Sequence, residues 1–514
     1  MTATCNPELV CLHPRDNICV AARDLPAGAE ILWKGDPLSL PVAVPFGHKI
    51  AVLPIARREP VRKYGQTIGL ASQPIQPGDW VHLHNLALGE FGRDYATCSE
   101  IPPPPPPILG RSFRGYRRAD GRAGTRNYVA VISTANCSAS VSKYIARRCG
   151  EALLRNYPNV DGVVAFTHST GCGIQHGGLA HQMLDRVLRG LVRHPNVAGC
   201  LLVGLGCEQV TMADLLPPQI LSPRDSAARP AACAITIQDA GGTSKAVEEG
   251  LRRLAELLPR ANDARREPIP ASELVLGTEC GGSDGNSGIT ANPALGVAAD
   301  MIVACGGTVI LSEIPEIYGA EHLLTRRSVS PEVANKLIAR IQWWRWYLSL
   351  FGAEFDSNPS LGNKEGGLTT IAEKSLGAIA KAGSTALVDV YEYAEPVTAR
   401  GFVVMDTPGY DPPSVTGLVA GGANVVVFTT GRGSCYGCQP VPSIKVASNT
   451  PMYERLIDDM DLNAGEILRG QPVEQVGCQI FEAILAVASG EKTKSERHGI
   501  GEEEFVPWIV GPTL

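Results

Sequence analysis

Residues 199–208, Gly-Cys-Leu-Leu-Val-Gly-Leu-Gly-Cys-Glu, place a short apolar run directly before a glycine-rich loop that carries a cysteine. The same order of apolar run, small-residue loop and helix-compatible sequence recurs at residues 128–138, 160–173 and 273–284. Apolar runs that alternate with helical sequence are typical of buried parallel strands in α/β units. The sequence therefore predicts an α/β body of Rossmann-like, parallel-sheet lobes whose glycine-rich loops form a site.

Each of these four loops carries a cysteine: Cys137, Cys172, Cys207 and Cys280. In open parallel sheets, ligands bind beyond the carboxyl ends of the strands, where these loops are expected to lie. Thiolates suit zinc, iron or an iron–sulfur cluster, whereas a lone cysteine is most often a small buried hydrophobe. We expect the four thiols to converge on one metal site. Cys435 and Cys438 form a CxxC spacing without a matching second pair, and their role stays open.

Length and composition limit the class of protein. The chain has 514 residues and a mass of 54.5 kDa, which at roughly 100–200 residues per domain predicts two to four domains. A hydrophobic content of 44% argues against disorder, and a net charge of −6 argues against a nucleic-acid partner. The first residues lack a basic, apolar leader, and no uncharged stretch reaches the roughly 20 residues that span a membrane. We therefore expect a cytoplasmic protein without a membrane partner, and its odd number of cysteines, 15, fits reduced thiols.

The unbroken proline run from Pro102 to Pro107 predicts a semi-rigid spacer, because proline removes backbone donors and favours extended chain. Before it, short apolar runs at residues 18–22, 49–53 and 67–71 are separated by turn signals, which predicts a compact β domain. The expected domains are a small β domain (1–100), a linker (101–112) and three α/β lobes (113–270, 271–400 and 401–514).

Histidines in the small domain are candidates for binding. Phe46-Gly-His48-Lys49 and Trp80-Val-His82-Leu-His84-Asn85 lie in this part of the chain. On a strand, alternation would point His82 and His84 to one face, where two imidazoles can bind a metal or relay protons. Two solvated histidines are the simpler interpretation of the same pattern.

Nucleotide motifs are not supported. Gly204-Leu-Gly206 lacks the third glycine of GxGxxG, and no GxxxxGK[S/T] run occurs. The helical spacing of apolar residues in the segment 333–351, which contains Trp344, predicts a core helix or a subunit contact. A homodimer is compatible with this helix but is not required by it.

Charged residues accompany the later loops. Glu313 follows the apolar run 308–311, Lys364 lies in a long glycine-rich loop, and Arg432 lies between two glycines ahead of Lys445. Cations at glycine-rich loops can clamp a carboxylate, and arginine can do so with two parallel hydrogen bonds. Solvated surface charge is the alternative.

Several longer motifs make a resemblance specific. The chain resembles the altronate and galactarate dehydratase family, in these runs: residues 115–127, 204–208, 280–284, 287–293, 358–360, 362–364 and 428–433. Residues 47–49, 63–65, 68–69 and 82–85 resemble the β-clip (SAF-like) domain that precedes the body in this family. The resemblance covers nearly the whole chain.

The resemblance implies iron-dependent loss of water from a sugar acid, giving a 2-keto-3-deoxy product. Such a reaction needs a general base, cations or a metal to stabilise the aci-carboxylate, and an acid to release the β-hydroxyl. The candidates for moving protons or acting on the substrate directly are His168, Glu313, Lys364 and Lys445. The candidates for binding the substrate are Arg126, Asn127, Ser283, Asp284, Asn363, Arg432, His48, His82 and His84. The candidates for binding iron are Cys137, Cys172, Cys207 and Cys280.

Some alternatives stay open at this stage. The iron is either a single Fe²⁺ on histidine and oxygen ligands or an iron–sulfur cluster on cysteines. The substrate is a hexonate or hexarate of the galactarate or altronate class, and the local resemblances to the two kinds of dehydratase conflict. Sulfolactate sulfo-lyases are similar and would use the same arrangement, and a sugar-acid-binding regulatory protein without catalysis is the non-enzymatic alternative.

Overall fold

The computed structural model describes residues 8–89, 95–216 and 231–509. Its first part is a small domain of short antiparallel strands, arranged in sheets of order β1-β2-β5-β8, β3-β4 and β6-β7-β9. The expected strands at 18–22, 49–53 and 67–71 are confirmed as β2, β5 and β7. The strands are β1 Leu9–Val10, β2 Ile18–Ala21, β3 Glu30–Trp33, β4 Asp36–Ser39, β5 Lys49–Ala51, β6 Pro60–Lys63, β7 Gln66–Ala71, β8 Trp80–Val81 and β9 Leu86–Ala87.

The second domain is built on a four-stranded parallel sheet of order β13-β12-β14-β15. Its central strand β12 is buried at every residue, as expected for a strand covered by helices on both faces. An antiparallel sheet of β11, β10 and β16 joins this domain to the next. The strands are β10 Ser112–Arg117, β11 Ala123–Gly124, β12 Tyr128–Ser133, β13 Gly162–Phe166, β14 Val197–Gly204, β15 Ala231–Thr236 and β16 Glu267–Pro270. The helices are α1 Asn136–Arg148, α2 Glu151–Leu154, α3 Leu179–Val192, α4 Met212–Leu215, α5 Ile237–Ala240 and α6 Thr243–Asp263.

The C-terminal domain contains a seven-stranded parallel sheet of order β19-β20-β18-β17-β21-β22-β23. The strands are β17 Val275–Cys280, β18 Thr308–Leu311, β19 Leu387–Tyr391, β20 Gly401–Met405, β21 Val425–Thr430, β22 Ser443–Ala447 and β23 Leu462–Asn463. The helices are α7 Ala291–Ala304, α8 Glu321–Arg326, α9 Pro331–Ser349, α10 Leu361–Glu365, α11 Ile371–Ala378, α12 Asp411–Ala420, α13 Thr450–Arg455, α14 Val473–Ala488 and α15 Lys494–His498. Short 3₁₀ turns are Ala271–Glu273, Ile314–Glu316, Phe355–Ser357, Ile379–Ala382 and Ala464–Arg469.

The predicted fold class, a small β domain followed by an α/β body, is confirmed. The four strands that precede the cysteine loops do not share one sheet, however, because β12, β13 and β14 belong to the second domain and β17 to the C-terminal domain. Conversely, the C-terminal sheet runs across the boundary expected at residue 400, since β17 to β19 precede it and β20 to β23 follow it.

Two local expectations had different outcomes. The residues from His82 to Asn85 form a turn rather than a strand, because the Asn85 side chain accepts a hydrogen bond from the His82 amide at 2.9 Å. The expected core helix is α9, in which Trp344 is fully buried and stacks on Trp508. No helix in the described ranges is long and apolar enough to cross a membrane.

Candidate active site

The loops after β17, β21 and β22 meet at the carboxyl edge of the seven-stranded sheet. Asp284 joins them, because its carboxylate accepts hydrogen bonds from the Ser287 amide at 2.8 Å, Ser448 Oγ at 2.8 Å and Asn449 Nδ2 at 3.0 Å. Asn363 Nδ2 donates to the Ser283 carbonyl at 2.8 Å and fixes the start of α10 to the same loop. The side chains of Asp284 and Asn363 are therefore occupied in holding these loops together.

Two cations at this edge are available to a ligand. Arg432 follows β21, has 48% of its side chain exposed and makes a 3.4 Å contact with Glu365. Its neighbours Gly366 and Gly431 have no side chains, and a Cβ at Gly431 would lie 2.2 Å from the Asp284 carboxyl carbon. The half-buried Lys364 side chain has no hydrogen-bond or ion-pair partner among the described residues. The two cations lie on neighbouring loops, as expected for a carboxylate clamp.

The small domain holds the α10 loop through its histidines. His82 Nε2 lies 2.9 Å from the Lys364 carbonyl, and His48 Nε2 lies 3.1 Å from the Glu365 carbonyl. Trp80 Nε1 donates to His48 Nδ1 at 3.2 Å, so the Nε2 atom of His48 is the one that donates to the loop. Burial lowers the pKa of His48 to about 4, which keeps this ring neutral near pH 7. The exposed His84 contacts the Trp80 ring instead.

A buried ion-pair network fixes the small domain to α11. Lys49 and Lys63 both contact Glu373, at 2.8 Å and 2.9 Å, and all three side chains are fully buried. Lys49 also donates to the Gly367 carbonyl at 2.6 Å. Burial lowers the pKa of Lys49 to about 8, and despite burial the two ammonium groups lower the pKa of Glu373 well below its usual range. The position of the Lys364 loop thus depends on charges that come from another domain.

A second buried cluster lies where β17 and β18 end. Lys381 Nζ lies 2.5 Å from Glu313 Oε2 and 2.9 Å from Cys280 Sγ. The Cys280 thiol lies 3.5 Å from both Glu313 Oε2 and Glu316 Oε2, and these three residues could hold a metal ion. Glu313 has a left-handed backbone with φ of 65°, which is held by a 2.7 Å hydrogen bond from its amide to Thr407 Oγ1. Such strained conformations in non-glycine residues concentrate at functional sites.

More acids than cations surround this cluster. Lys374 pairs with Glu316 at 2.5 Å, while Glu279 is held by Ser312 and Ser414, each at 2.8 Å. Burial, together with the charge on Glu313, raises the pKa of Glu279 well above its usual range. One carboxylate oxygen of Glu279 and one of Glu313 are buried without a hydrogen-bond partner. Four acids (Glu279, Glu313, Glu316 and Asp411) therefore face two lysines, and the cluster must hold protons at neutral pH.

Asp411 connects this cluster to the surface. It begins α12 and is partly exposed, and it lies close enough to Glu279 and Glu313 for the three carboxylates to share a metal ion. A Cβ on Gly281 would lie 2.4 Å from Asp411 Oδ2, so the glycine allows the active-site loop to approach this carboxylate. Burial and the neighbouring Glu313 raise the pKa of Asp411 to about 7. A carboxylate with this pKa suits proton transfer near neutrality.

The four candidate metal-binding cysteines divide into two groups. Three of them are exposed: Cys137 in the first turn of α1, and Cys172 and Cys207 on the loops after β13 and β14. Burial raises the pKa of Cys172, and Cys137 and Cys207 add to this rise, but the three sulfur atoms do not all lie within 4.8 Å of one another. Cys280 instead is buried among Glu313, Glu316 and Lys381. The expectation of a single four-thiol site is therefore wrong, because β17 belongs to a different sheet.

His168 lies close to these loops but is poorly suited to proton transfer. Its Nε2 lies 3.1 Å from the Ser133 carbonyl, and its Nδ1 accepts from the Thr170 amide at 3.3 Å. Burial lowers the pKa of His168 to about 4. With both ring nitrogens occupied and the ring neutral, His168 positions the loop that leads to Cys172.

The side chains of Arg126, Asn127 and Lys445 are already bonded within the fold. Arg126 and Asn127 precede β12, at the opposite end of this strand from Cys137. Every N–H of the Arg126 guanidinium is used, in a buried pair with Glu496 at 2.6 Å and in hydrogen bonds to carbonyl groups. The Asn127 amide bonds two carbonyl groups, and Lys445 Nζ donates to the Tyr436 carbonyl at 3.0 Å. These three residues stabilise the fold, and their expected contacts with a ligand are corrected accordingly.

Sequence reasoning missed the residues that complete the buried cluster. Glu279 lies in the glycine-rich run 277–284 and Glu316 closely follows Glu313, but Lys374, Lys381 and Asp411 lie in no glycine-rich motif that would single them out. One signal was present: residues 371–382, Ile-Ala-Glu-Lys-Ser-Leu-Gly-Ala-Ile-Ala-Lys-Ala, carry isolated charges within an otherwise apolar helix. Charged residues in such a segment are buried only when they are paired.

Family models match three consecutive parts of the chain. The altronate/galactarate dehydratase SAF domain matches residues 7–89, the second domain of D-galactarate dehydratase/altronate hydrolase matches residues 115–262, and the C-terminal domain of D-galactarate/altronate dehydratase matches residues 271–513. The chain is 40% identical over 501 residues to galactarate dehydratase (L-threo-forming) of Escherichia coli strain K12, covering 95% of this chain and 94% of that enzyme. The chain belongs to the galactarate and altronate dehydratase family.

Further relatives show how far this dehydratase family extends. Altronate dehydratase of Bacillus subtilis strain 168 is 33% identical over 496 residues, which cover 96% of this chain and 97% of that enzyme. The beta subunit of (2R)-sulfolactate sulfo-lyase of Chromohalobacter salexigens is 30% identical over 403 residues, or 78% of this chain and 97% of that subunit. Because dehydratases remove water by breaking a carbon–oxygen bond, membership in this family places the chain among the hydro-lyases.

Proposed function

We propose that this dehydratase removes water from a hexarate or hexonate of the galactarate or altronate class and forms a 2-keto-3-deoxy sugar acid, with iron as its metal. The observation that carries the proposal is the position of Arg432 beside the Gly281 loop, which covers Asp411 and the buried acid cluster. This arrangement combines a carboxylate-binding cation with a proton acceptor whose pKa lies near 7.

The proposed reaction begins with substrate binding. Arg432 and Lys364 hold a terminal carboxylate of the sugar acid and stabilise the aci-carboxylate that forms when the α-proton leaves. Asp411 accepts this proton, and the electron pair of the C–H bond forms the double bond to the β-carbon. The β-hydroxyl leaves as water with the proton that Asp411 accepted, which regenerates the Asp411 carboxylate, and the resulting enol rearranges to the 2-keto-3-deoxy acid. Burial and the neighbouring Glu313 disfavour the ionised form of Asp411, which raises its pKa and makes it a stronger proton acceptor.

The exposed thiols suit the proposed iron better than the Cys280 cluster does. Cys137, Cys172 and Cys207 are soft, exposed ligands, and iron held by these three ligands would keep a position open to substrate. In the Cys280 cluster, Lys374 and Lys381 already contact Glu316 and Glu313, each at 2.5 Å, and would compete with a metal ion for these carboxylates. Bound to the three thiols, iron would supply a Lewis acid for the departing hydroxyl.

Packing between the domains supports one site that uses both sets of loops. Phe505 packs edge-on against Phe166, at the carboxyl end of β13, with 5.3 Å between the ring centroids. The next residue, Val506, donates its amide to Thr416 in α12 at 3.0 Å. One segment therefore links the loop edge of the second sheet to the helix that begins with Asp411.

The proposal is tested by incubating protein purified without oxygen with galactarate, altronate and sulfolactate, in the presence of Fe²⁺ and a reductant. The 2-keto product and released sulfite are measured separately. We expect a 2-keto-3-deoxy acid from galactarate or altronate. Sulfite release alone would move the chain to the sulfo-lyase reaction, and binding without turnover of any substrate would favour a regulatory protein.

A further inference from the structure

A cavity of about 450 Å³ lies between the second and C-terminal domains. The residues just before β14, β17, β20 and β21 line it, so it lies at the amino ends of the strands. The Cys172 and Arg432 loops lie at the opposite, carboxyl ends of these sheets. The volume falls within the range of roughly 300–1,000 Å³ that is typical of small-molecule sites.

The lining of this cavity is strongly basic. It includes five arginines and one carboxylate: Arg122, Arg186, Arg189, Arg193, Arg400 and Glu273. Charges of one sign that converge on a concave surface attract ligands of the opposite sign. The chain as a whole carries a net charge of −6, so the charge of this cavity is opposite in sign to that of the whole chain.

The partners of these arginines leave them available to a ligand. Arg186, Arg189 and Arg122 make contacts of 2.7, 2.7 and 2.6 Å with acidic side chains that do not line the cavity. Arg400 pairs at 3.2 Å with Glu273, the one carboxylate of the lining, so a ligand must displace Glu273 there. Arg193 has no ion-pair partner in the part of the chain that the structure describes. Exposed ion pairs of this kind contribute little to stability, so a polyanion can replace them at little cost.

The walls of the cavity are joined by buried hydrogen bonds between the two domains. His194 Nε2 lies 3.0 Å from the Ala423 carbonyl, Asn424 Nδ2 donates to the Ala123 carbonyl at 3.1 Å, and Thr125 Oγ1 donates to the Asn424 carbonyl at 2.6 Å. Burial lowers the pKa of His194 to about 3, so the ring is neutral at physiological pH. The site is therefore preformed, and a ligand in it would contact both domains.

We propose that this cavity binds a small polyanion that carries at least two carboxylate or phosphate groups. Arg189 and Arg193, on the second domain, hold one anionic group, and Arg400, on the C-terminal domain, holds the other. The cavity lies away from the loops assigned to dehydration, and its occupation does not depend on that reaction.

The test uses isothermal titration calorimetry of the full chain without sugar acid, at constant ionic strength. Citrate probes for a polycarboxylate, inorganic pyrophosphate probes for a phosphate ligand, and acetate serves as the monoanion control. The variants are Arg189→Gln combined with Arg193→Gln on one wall, and Arg400→Gln on the other. Arg252→Gln is the matched control, because Arg252 is an exposed helical arginine that pairs with Glu249 at 2.5 Å outside the cavity.

We expect citrate or pyrophosphate to bind, and each wall variant to weaken the binding at least about tenfold, the usual worth of a charge-assisted contact. Arg252→Gln should bind as the unmodified chain does. Thermal melting of each variant without ligand confirms that it is folded. The proposal is overturned if neither probe binds more tightly than acetate, or if the Arg252 variant loses as much affinity as the wall variants.

Discussion

Replacing Glu373 with glutamine tests whether the small domain is held by buried charge. In the unmodified chain, the Glu373 carboxylate contacts Lys49 at 2.8 Å and Lys63 at 2.9 Å. In the Glu373→Gln variant, both ammonium groups remain fully buried without this counter-ion. Removing one partner of a buried ion pair typically costs about 3–5 kcal/mol. The loss of stability has an upper limit, because Lys63 can instead lose its proton. Reaching the neutral form at pH 7 costs about 1.36 kcal/mol for each of the roughly three pKa units that separate pH 7 from the usual lysine pKa.

The assay is urea unfolding followed by tryptophan fluorescence, with Trp80 reporting on the small domain. We expect the free energy of the first transition to fall by about 3–5 kcal/mol at pH 7. The matched control is Glu482→Gln, which breaks the exposed contact of 2.5 Å with Arg111 and should cost about 1 kcal/mol or less.

The pH dependence of this loss is a second, independent readout. In the variant, burial without a counter-ion lowers the pKa of both lysines in the folded state. At pH values between these lowered pKa values and the usual lysine pKa near 10.4, the folded state therefore binds fewer protons than the unfolded state. Stability must therefore rise with pH over that range, and the loss relative to the unmodified chain should shrink between pH 7 and pH 10. A loss no larger than that of Glu482→Gln, or one that does not change with pH, would refute the reasoning.

Three further predictions concern the site. Asp411→Asn should lower kcat about 10²–10⁴-fold. It should also remove the rise in rate as pH increases through about 7, because the Asp411 carboxyl loses its proton there in the unmodified chain. An unchanged pH–rate profile would argue against Asp411 as the base. Cys172→Ser should lower the iron content of protein purified without oxygen, whereas Cys280→Ser should retain it; the reverse result would place the metal in the buried cluster. Arg432→Gln should raise KM for the sugar acid at least about tenfold, whereas Arg126→Gln should lower the melting temperature and leave KM unchanged, because every Arg126 N–H is already bonded.

Local patterns were sufficient to predict individual strands and loops. The apolar run at residues 128–133 is a strand over the same residues, because a strand covered on both faces is apolar at consecutive positions. Arg432 was identified by its two flanking glycines, and the structure places it at the carboxyl edge of the sheet with an exposed guanidinium. These features depend on residues that are close together in the sequence, so the sequence of one chain is enough to predict them.

Features that depend on long-range pairing could not be predicted in this way. The cysteines at 172, 207 and 280 follow apolar runs of the same character, yet β17 pairs with β18 and β21 rather than with the strands of the second domain. Arg126 looked like a ligand-binding cation, but it precedes its strand, and only the strand direction shows that it lies at the far edge of the sheet. Lys381 belongs to the cluster because its 3₁₀ turn packs against the end of β17, and no local motif encodes that contact.

The shared carboxylate beneath the small domain also has a consequence for protein engineering. A chimera that exchanges this domain for another β-clip must supply two ammonium groups at the positions of Lys49 and Lys63, or it will leave Glu373 sealed in the interior as an uncompensated anion. Truncation within the proline run removes the same two groups. The small domain and the C-terminal domain thus share one buried charge network, and libraries that vary the loops above it should keep this trio fixed.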